Sequence, residues 1–158
     1  MNVARAAVAG LLGTAAMTAL LLIEPSIGLP KIAMGQVLSS SLGLTTAHLP
    51  IGPAVGWVLH FVIGIVLALI YGGAFDDRLP GGSVLRGMLY GCLVFVVAQV
   101  VFMPLVGGGF FSRGDLALIT GSLLGHLLYG AVVGWSYGEG SESGRHLGVG
   151  PVAPGEAR

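Results

Sequence analysis

Four long stretches of the 158-residue chain are almost free of charge, and the polar residues gather in the segments between them. At about 20 residues apiece, each stretch is long enough to cross a hydrocarbon core of roughly 30 Å as an α-helix. The pattern predicts spanning helices over residues 4–23, 53–75, 85–106 and 116–138. The first is flanked by Arg5 and Glu24-Pro25 and ends in Leu-Leu-Ile. It lacks the small residues of a cleavage site, so it reads as a retained helix and not as a signal peptide. Residues 31–42 alternate in a way that predicts a short amphipathic helix on the outer surface, bracing or covering the bundle. Residues 139–158 are rich in Gly, Ser, Glu and Pro and read as a disordered cytoplasmic tail. The expected fold is all-α, a polytopic four-helix transmembrane bundle occupying residues 1–138.

A repeat adds detail to this frame. His60-x-x-x-Gly64, continuing to Tyr71-Gly72, recurs as His126-x-x-x-Gly130, continuing to Tyr137-Gly138. More loosely, Arg5 and Gly10 of the first span correspond to Arg86 and Gly91 of the third, and Pro25 to Pro104. The bundle therefore reads as two helical hairpins in parallel orientation, because each copy holds an even number of spans.

Composition agrees with lipid as the solvent. Hydrophobic residues make up 54% of the chain and charged residues 9%, where soluble domains carry about 25% charged. A formal net charge of zero leaves no basic face for nucleic acid. Arg5, Arg78, Arg86, Arg145 and Arg158 fall on one side of the spans and only Lys31 and Arg113 on the other. Basic residues stay inside, so both termini are expected in the cytoplasm and the chain in a bacterial cytoplasmic (inner) membrane. Cys92 is the only cysteine and reads as packing. Asp76-Asp77 reads as a solvated turn, and Glu24 as facing outer water. The run Gly107-Gly108-Gly109 has no following Lys-Ser/Thr and is no phosphate loop. His48 and His146 fall in loop and tail, where water solvates them. The serines lie beside no identifiable base, so no catalytic residue and no enzyme is expected.

Residues four apart share a helical face. Gly56, His60, Gly64 and Ala68 form one stripe, and Ser122, His126, Gly130 and Gly134 form its counterpart, so both histidines are expected at tight helix contacts. Tyr71 and Tyr137 suit the inner interfacial belt. Each histidine lies eleven residues outward from its tyrosine, or roughly 16 Å. Thr18 and Gln99 reach a similar depth counted from Arg5 and Arg86. Thr18, His60, Gln99 and His126 thus form a polar layer near mid-membrane. One expectation is interhelical hydrogen bonding that fixes the register, at about 0.6 to 2 kcal/mol per bond. A second is ligation of haem b or a metal by His60 and His126, since intramembrane ionisable groups are functional candidates by default. Met17 and Met103 offer only a weak Cu(I) set, so no metal ligands are assigned.

Around Trp57-Val-Leu-His60, Arg86-Gly-Met-Leu-Tyr-Gly, Met103-Pro104-Leu105-Val106-Gly107 and Gly125-His126-Leu127, the chain resembles small bacterial multi-helix membrane proteins grouped as domains of unknown function. More distantly it resembles the YagU-like inner-membrane family. The resemblance runs from about Ala4 to Gly138 and implies a bacterial inner-membrane protein, connected with acid tolerance in the YagU-like case. It brings no catalytic residue. The functional expectation is a non-enzymatic accessory or stress-related membrane component. The alternatives are a haem- or metal-binding electron carrier and a small channel or proton/solute pathway. Beyond the lipid bilayer, a homodimer or a larger membrane complex is the expected partner.

Overall fold

The computed structural model describes residues 1–41 and 52–146. Helix α1 spans Val3–Ile23 and starts at Asn2, whose side chain accepts the Arg5 backbone N–H at 3.1 Å. Pro25 converts its end into a 3-10 turn over Glu24–Ile27, which Gly28 closes with φ +87°. A short helix α2, Met34–Ser41, precedes α3, Gly52–Ile70. Past a loop on the side of the N-terminus, here named the inner side, come α4, Ser83–Val97, a single-turn α5, Met103–Leu105, and α6, Leu116–His146. Asp115 begins α6 by accepting the Ala117 and Leu118 N–H groups at 3.0 and 3.1 Å.

Four helical segments are long and apolar enough to cross a membrane: Val3–Ile27, Gly52–Phe75, Ser83–Leu105 and Leu116–Gly138. They hold 25, 24, 23 and 23 residues. At 1.5 Å per residue the shorter ones reach about 35 Å, enough for the core with some tilt. Their surfaces are those of a lipid-facing bundle, with Leu22 70%, Val58 64% and Leu105 77% exposed. Among the described residues there is no strand.

The spans pack in the order α3, α1, α6, α4. Within each hairpin the same small residues meet. A Cβ on Gly10 would strike Ile65, Gly64 and Ala68 of α3, and one on Gly91 would strike His126 and Gly130 of α6. Gly130 and Gly134 in turn seat against Gly87 of α4. Small residues on both partners let the backbones themselves touch, which is how helices associate where lipid competes equally for apolar contact. The glycine and alanine stripes thus pack as their spacing predicts. Gly56 is an exception in its partner, because it meets the Gly35 backbone of α2 and not another span. The outer helix is therefore a brace on α3, and it begins at Met34 instead of residue 31.

Two π-helical turns interrupt the spans, at Tyr71–Phe75 and at Ala98–Phe102. Hydropathy carries no trace of them. At the inner end α6 continues to His146, beyond the expected start of a disordered tail at residue 139. The nearest proline is Pro151, so nothing in this segment bars helix, and its glycines cost about 1 kcal/mol each. The rest of that tail, from residue 147, and His48 lie outside the described residues.

Candidate functional site

The interior of the bundle divides by depth. In the inner half all four tyrosines of the chain, Tyr71, Tyr90, Tyr129 and Tyr137, are at most 6% exposed. Three cross to carbonyls of the second span: Tyr129 donates to Gly64 O at 2.6 Å, Tyr90 to Leu67 O at 2.8 Å and Tyr137 to Gly72 O at 3.4 Å. Tyr71 donates to Asp76 Oδ1 at 3.1 Å and stacks edge-on to Tyr137, with ring centroids 6.0 Å apart. Tyr71 and Tyr137 therefore do not sit in an interfacial belt. The glycine seams leave a gap along the bundle axis that only large side chains fill, and each phenol must find an acceptor once buried.

The same contacts bury Asp76, which is 4% exposed and not a solvated turn residue. Arg86 donates to its backbone carbonyl at 3.1 Å. The wide turn at Tyr71–Phe75 swings the chain so that Tyr71 and Asp76 face each other, with Asp76 N bonded to Tyr71 O at 3.0 Å.

The outer half is polar and poorly satisfied. Thr14, 1% exposed, donates to Gly10 O at 2.7 Å, and its Oγ1 occupies the space that Gly64 leaves. Thr18 and His60 each lie one turn further outward, at one level of the α1–α3 seam. Thr18 Oγ1 and His60 Nε2 are buried without a hydrogen-bond partner among the described residues. His60 is 9% exposed and is flanked by the edges of Trp57 and Phe61.

His126 is half-buried against Phe95, with ring centroids 6.1 Å apart. Its Nδ1 lies 2.7 Å from Ser122 O; a carbonyl can only accept, so Nδ1 carries the proton and Nε2 keeps its lone pair. Gln99, 1% exposed within the second π turn, accepts from Ser112 Oγ at 3.0 Å. That serine belongs to a left-handed turn in which Phe111, Ser112 and Arg113 have φ of 44°, 50° and 57°. Such backbone costs roughly 1–2 kcal/mol per residue. The Ser112 bond, Arg113 donating to Gly107 O at 2.9 Å and Phe111 against Phe95 at 6.4 Å hold it in place.

Glu24 completes this half. It is 1% exposed, not facing water, and neither carboxylate oxygen has a hydrogen-bond partner among the described residues. It is covered but lies at the outer rim of the bundle, against Gly121 of α6, where a Cβ would come within 3.1 Å of Oε1 and 3.2 Å of Oε2. Next to Pro25 at the end of the first span, it reads in the sequence as a water-facing residue. A glycine four residues before Gly125 on α6 was the available sign of a seat opposite.

The structure thus places the four residues of the expected polar layer in the outer half, but it does not join them into an interhelical network. Among the described residues, Gln99 bonds to the outer loop, His126 bonds within its own helix, and Thr18 Oγ1 and His60 Nε2 stay unpaired. The glycines beside the two histidines leave no room for a flat macrocycle. The room expected beside the histidines is taken by Gly35 at Gly56, by Thr14 at Gly64 and by Gly87 at Gly130. Among the described residues no three His, Cys, Asp or Glu side chains converge as metal ligands.

Fold and interior define a multi-pass, all-α membrane protein with four spans, a tyrosine-filled inner half and a polar outer half. Residues 1–147 match a family of unknown function (DUF6789), and the chain belongs to that family. No curated protein and no solved structure matches it.

Proposed function

We propose that this protein is a non-enzymatic accessory component of a bacterial cytoplasmic membrane, with both termini in the cytoplasm, whose outer half takes up a small polar guest or partner group. The observation that carries this reading is the gathering of unsatisfied polar atoms in the outer half, against which the inner half holds only Arg86 Nε among the described residues. Glu24, Thr18 and His60 each hold a buried atom without a partner in the outer half. The four tyrosine hydroxyls of the inner half are all bonded. Unpaired groups in a low-dielectric interior cost free energy and are retained where they act. A through-pathway needs polar groups free to carry it on both sides of the midplane. In the inner half the tyrosine hydroxyls are engaged, and Asp76 and Arg86 are tied to Tyr71 and to the Asp76 carbonyl, which favours binding or sensing over conduction. The matching Gly10–Gly64 and Gly91–Gly130 contacts support the reading of the bundle as two related hairpins.

Reconstituted into liposomes, the protein is expected to give no proton or small-cation flux above empty vesicles under an imposed gradient. Sustained flux that vanishes on replacing His60 and His126 would overturn the sealed-inner-half reading in favour of a channel. Orientation is tested in a Cys92→Ala background. A membrane-impermeant thiol reagent added to intact cells should label Ser26→Cys and spare Asp77→Cys, and the reverse result would invert the topology.

A further inference from the structure

Glu24 is the acidic side chain of the outer half whose two carboxylate oxygens are both covered, and three observations bear on what it holds. Both of its oxygens are buried and unpaired among the described residues. On α6 they face Gly121, so on that side the carboxyl group rests against a residue that has no side chain to answer its charge. The basic residues of the outer segments are engaged elsewhere or directed to water. Lys31 is exposed, and Arg113 is exposed and spends a guanidinium N–H on Gly107 O. Among the described residues, which do not include His48, the other groups on the elements around it do not neutralise it either. Asp115 is exposed and caps α6, and Ser26 donates to Ile23 O at 2.6 Å. His126 lies more than a turn further inward on α6 and is bonded to Ser122 O. On its own helix Met17 and Leu21 are the buried residues next inward.

A bare carboxylate shut away from water is strongly unfavourable unless a positive group accompanies it. A metal ion or an ammonium group needs space and further oxygen ligands, and both carboxylate oxygens are already closed off. The one positive partner that needs no cavity is a proton. We propose that Glu24 is a proton-binding site of the outer membrane face: the neutral carboxyl occupies the seat against Gly121 and closes the outer end of the α1–α6 seam. Loss of the proton drives the side chain out of the seat toward the outer surface and loosens that seam. The inference goes beyond the proposed function, since it concerns this carboxyl whether or not a guest binds elsewhere in the outer half.

The test is covalent labelling of the detergent-purified full chain with dicyclohexylcarbodiimide, a hydrophobic reagent that adds to protonated carboxyl groups in apolar surroundings, followed by peptide mass mapping. Glu24 is expected to take up the reagent, with at least a tenfold fall in labelling rate as the pH is raised across the range in which the seat empties. A water-soluble carbodiimide should leave it unmodified at low pH. Because the proton stabilises the folded state, the wild type should melt at progressively lower temperature as pH rises, and Glu24→Gln, a neutral isostere for the seat, should flatten that slope while keeping the helical content. Absence of label at Glu24 in folded protein at every pH overturns the proposal. So does a Glu24→Gln variant that melts well below the wild type at low pH, because that result reveals a cationic partner in place of the proton. Neither outcome alters the liposome flux measurement, so failure here is distinguishable from failure of the sealed-inner-half reading.

Discussion

The inner and outer halves of this bundle are built from the same four helices, yet they solve the problem of buried polarity in opposite ways. On the inner side three tyrosines bring their donors to carbonyls of α3 and its π turn and Tyr71 brings its donor to Asp76, while aromatic mass fills what glycine leaves open. On the outer side Thr18, His60 and Glu24 are buried without completing their hydrogen bonds. The contrast separates two roles that intramembrane polar residues are often assigned together. The tyrosines tie helix to helix through their hydroxyls, whereas Thr18 Oγ1, His60 Nε2 and the Glu24 carboxylate make no such hydrogen bond among the described residues.

Substitutions can break this comparison. The largest effect is expected at Gly130, where a Cβ would fall on the Gly87 carbonyl and no flexible side chain can give way. Gly130→Val should cost about 3 kcal/mol or more and leave little folded protein by size exclusion in mild detergent. Next comes Tyr129→Phe, which removes only the hydroxyl bonded to Gly64 O. A loss of about 1 kcal/mol is expected in denaturant or thermal unfolding, the ordinary worth of one such bond. The smallest effect belongs to His60→Leu. If the histidine were a clamp, this change would weaken the bundle as Tyr129→Phe does. With Nε2 unpaired, it should shift stability by no more than about 0.5 kcal/mol or raise it. A loss at His60 equal to that at Tyr129 would erase the distinction between the halves.

Much of the fold was legible in the sequence because hydropathy and helical period are local properties. The four spans, the stripe Gly56-His60-Gly64-Ala68 and its counterpart at Gly130 and Gly134 follow from spacing alone, and all lie in tight contacts. What spacing cannot supply is the identity of the partner. A tyrosine eleven residues inward from a histidine fits the headgroup belt and the bundle axis equally well, and only the gap left by facing glycines on other helices draws Tyr71 and Tyr137 inside. Glu24 looked like an end residue because its seat is a glycine almost one hundred positions away. The π turns and the left-handed turn at Phe111–Arg113 have no compositional signature, since each is imposed by contacts that form across the bundle. Thr14, which packs beside Gly64 in the position where the layer at Thr18 was expected to begin, was findable from the four-residue stripe Gly10-Thr14-Thr18.

The order in which the spans pack has a consequence for biogenesis. Translation delivers α1 first and α6 last, and these two share a long seam, while α3 and α4, made in succession, meet at their inner ends through Tyr90. A nascent chain with three spans inserted therefore presents the glycine face of α1, including Gly13, to lipid or to the insertion machinery, because Val133 and Tyr129 have yet to arrive. Closure of the bundle waits on the final span, so a ribosome stalled within α6 would leave an intermediate that quality control can recognise by that uncovered face.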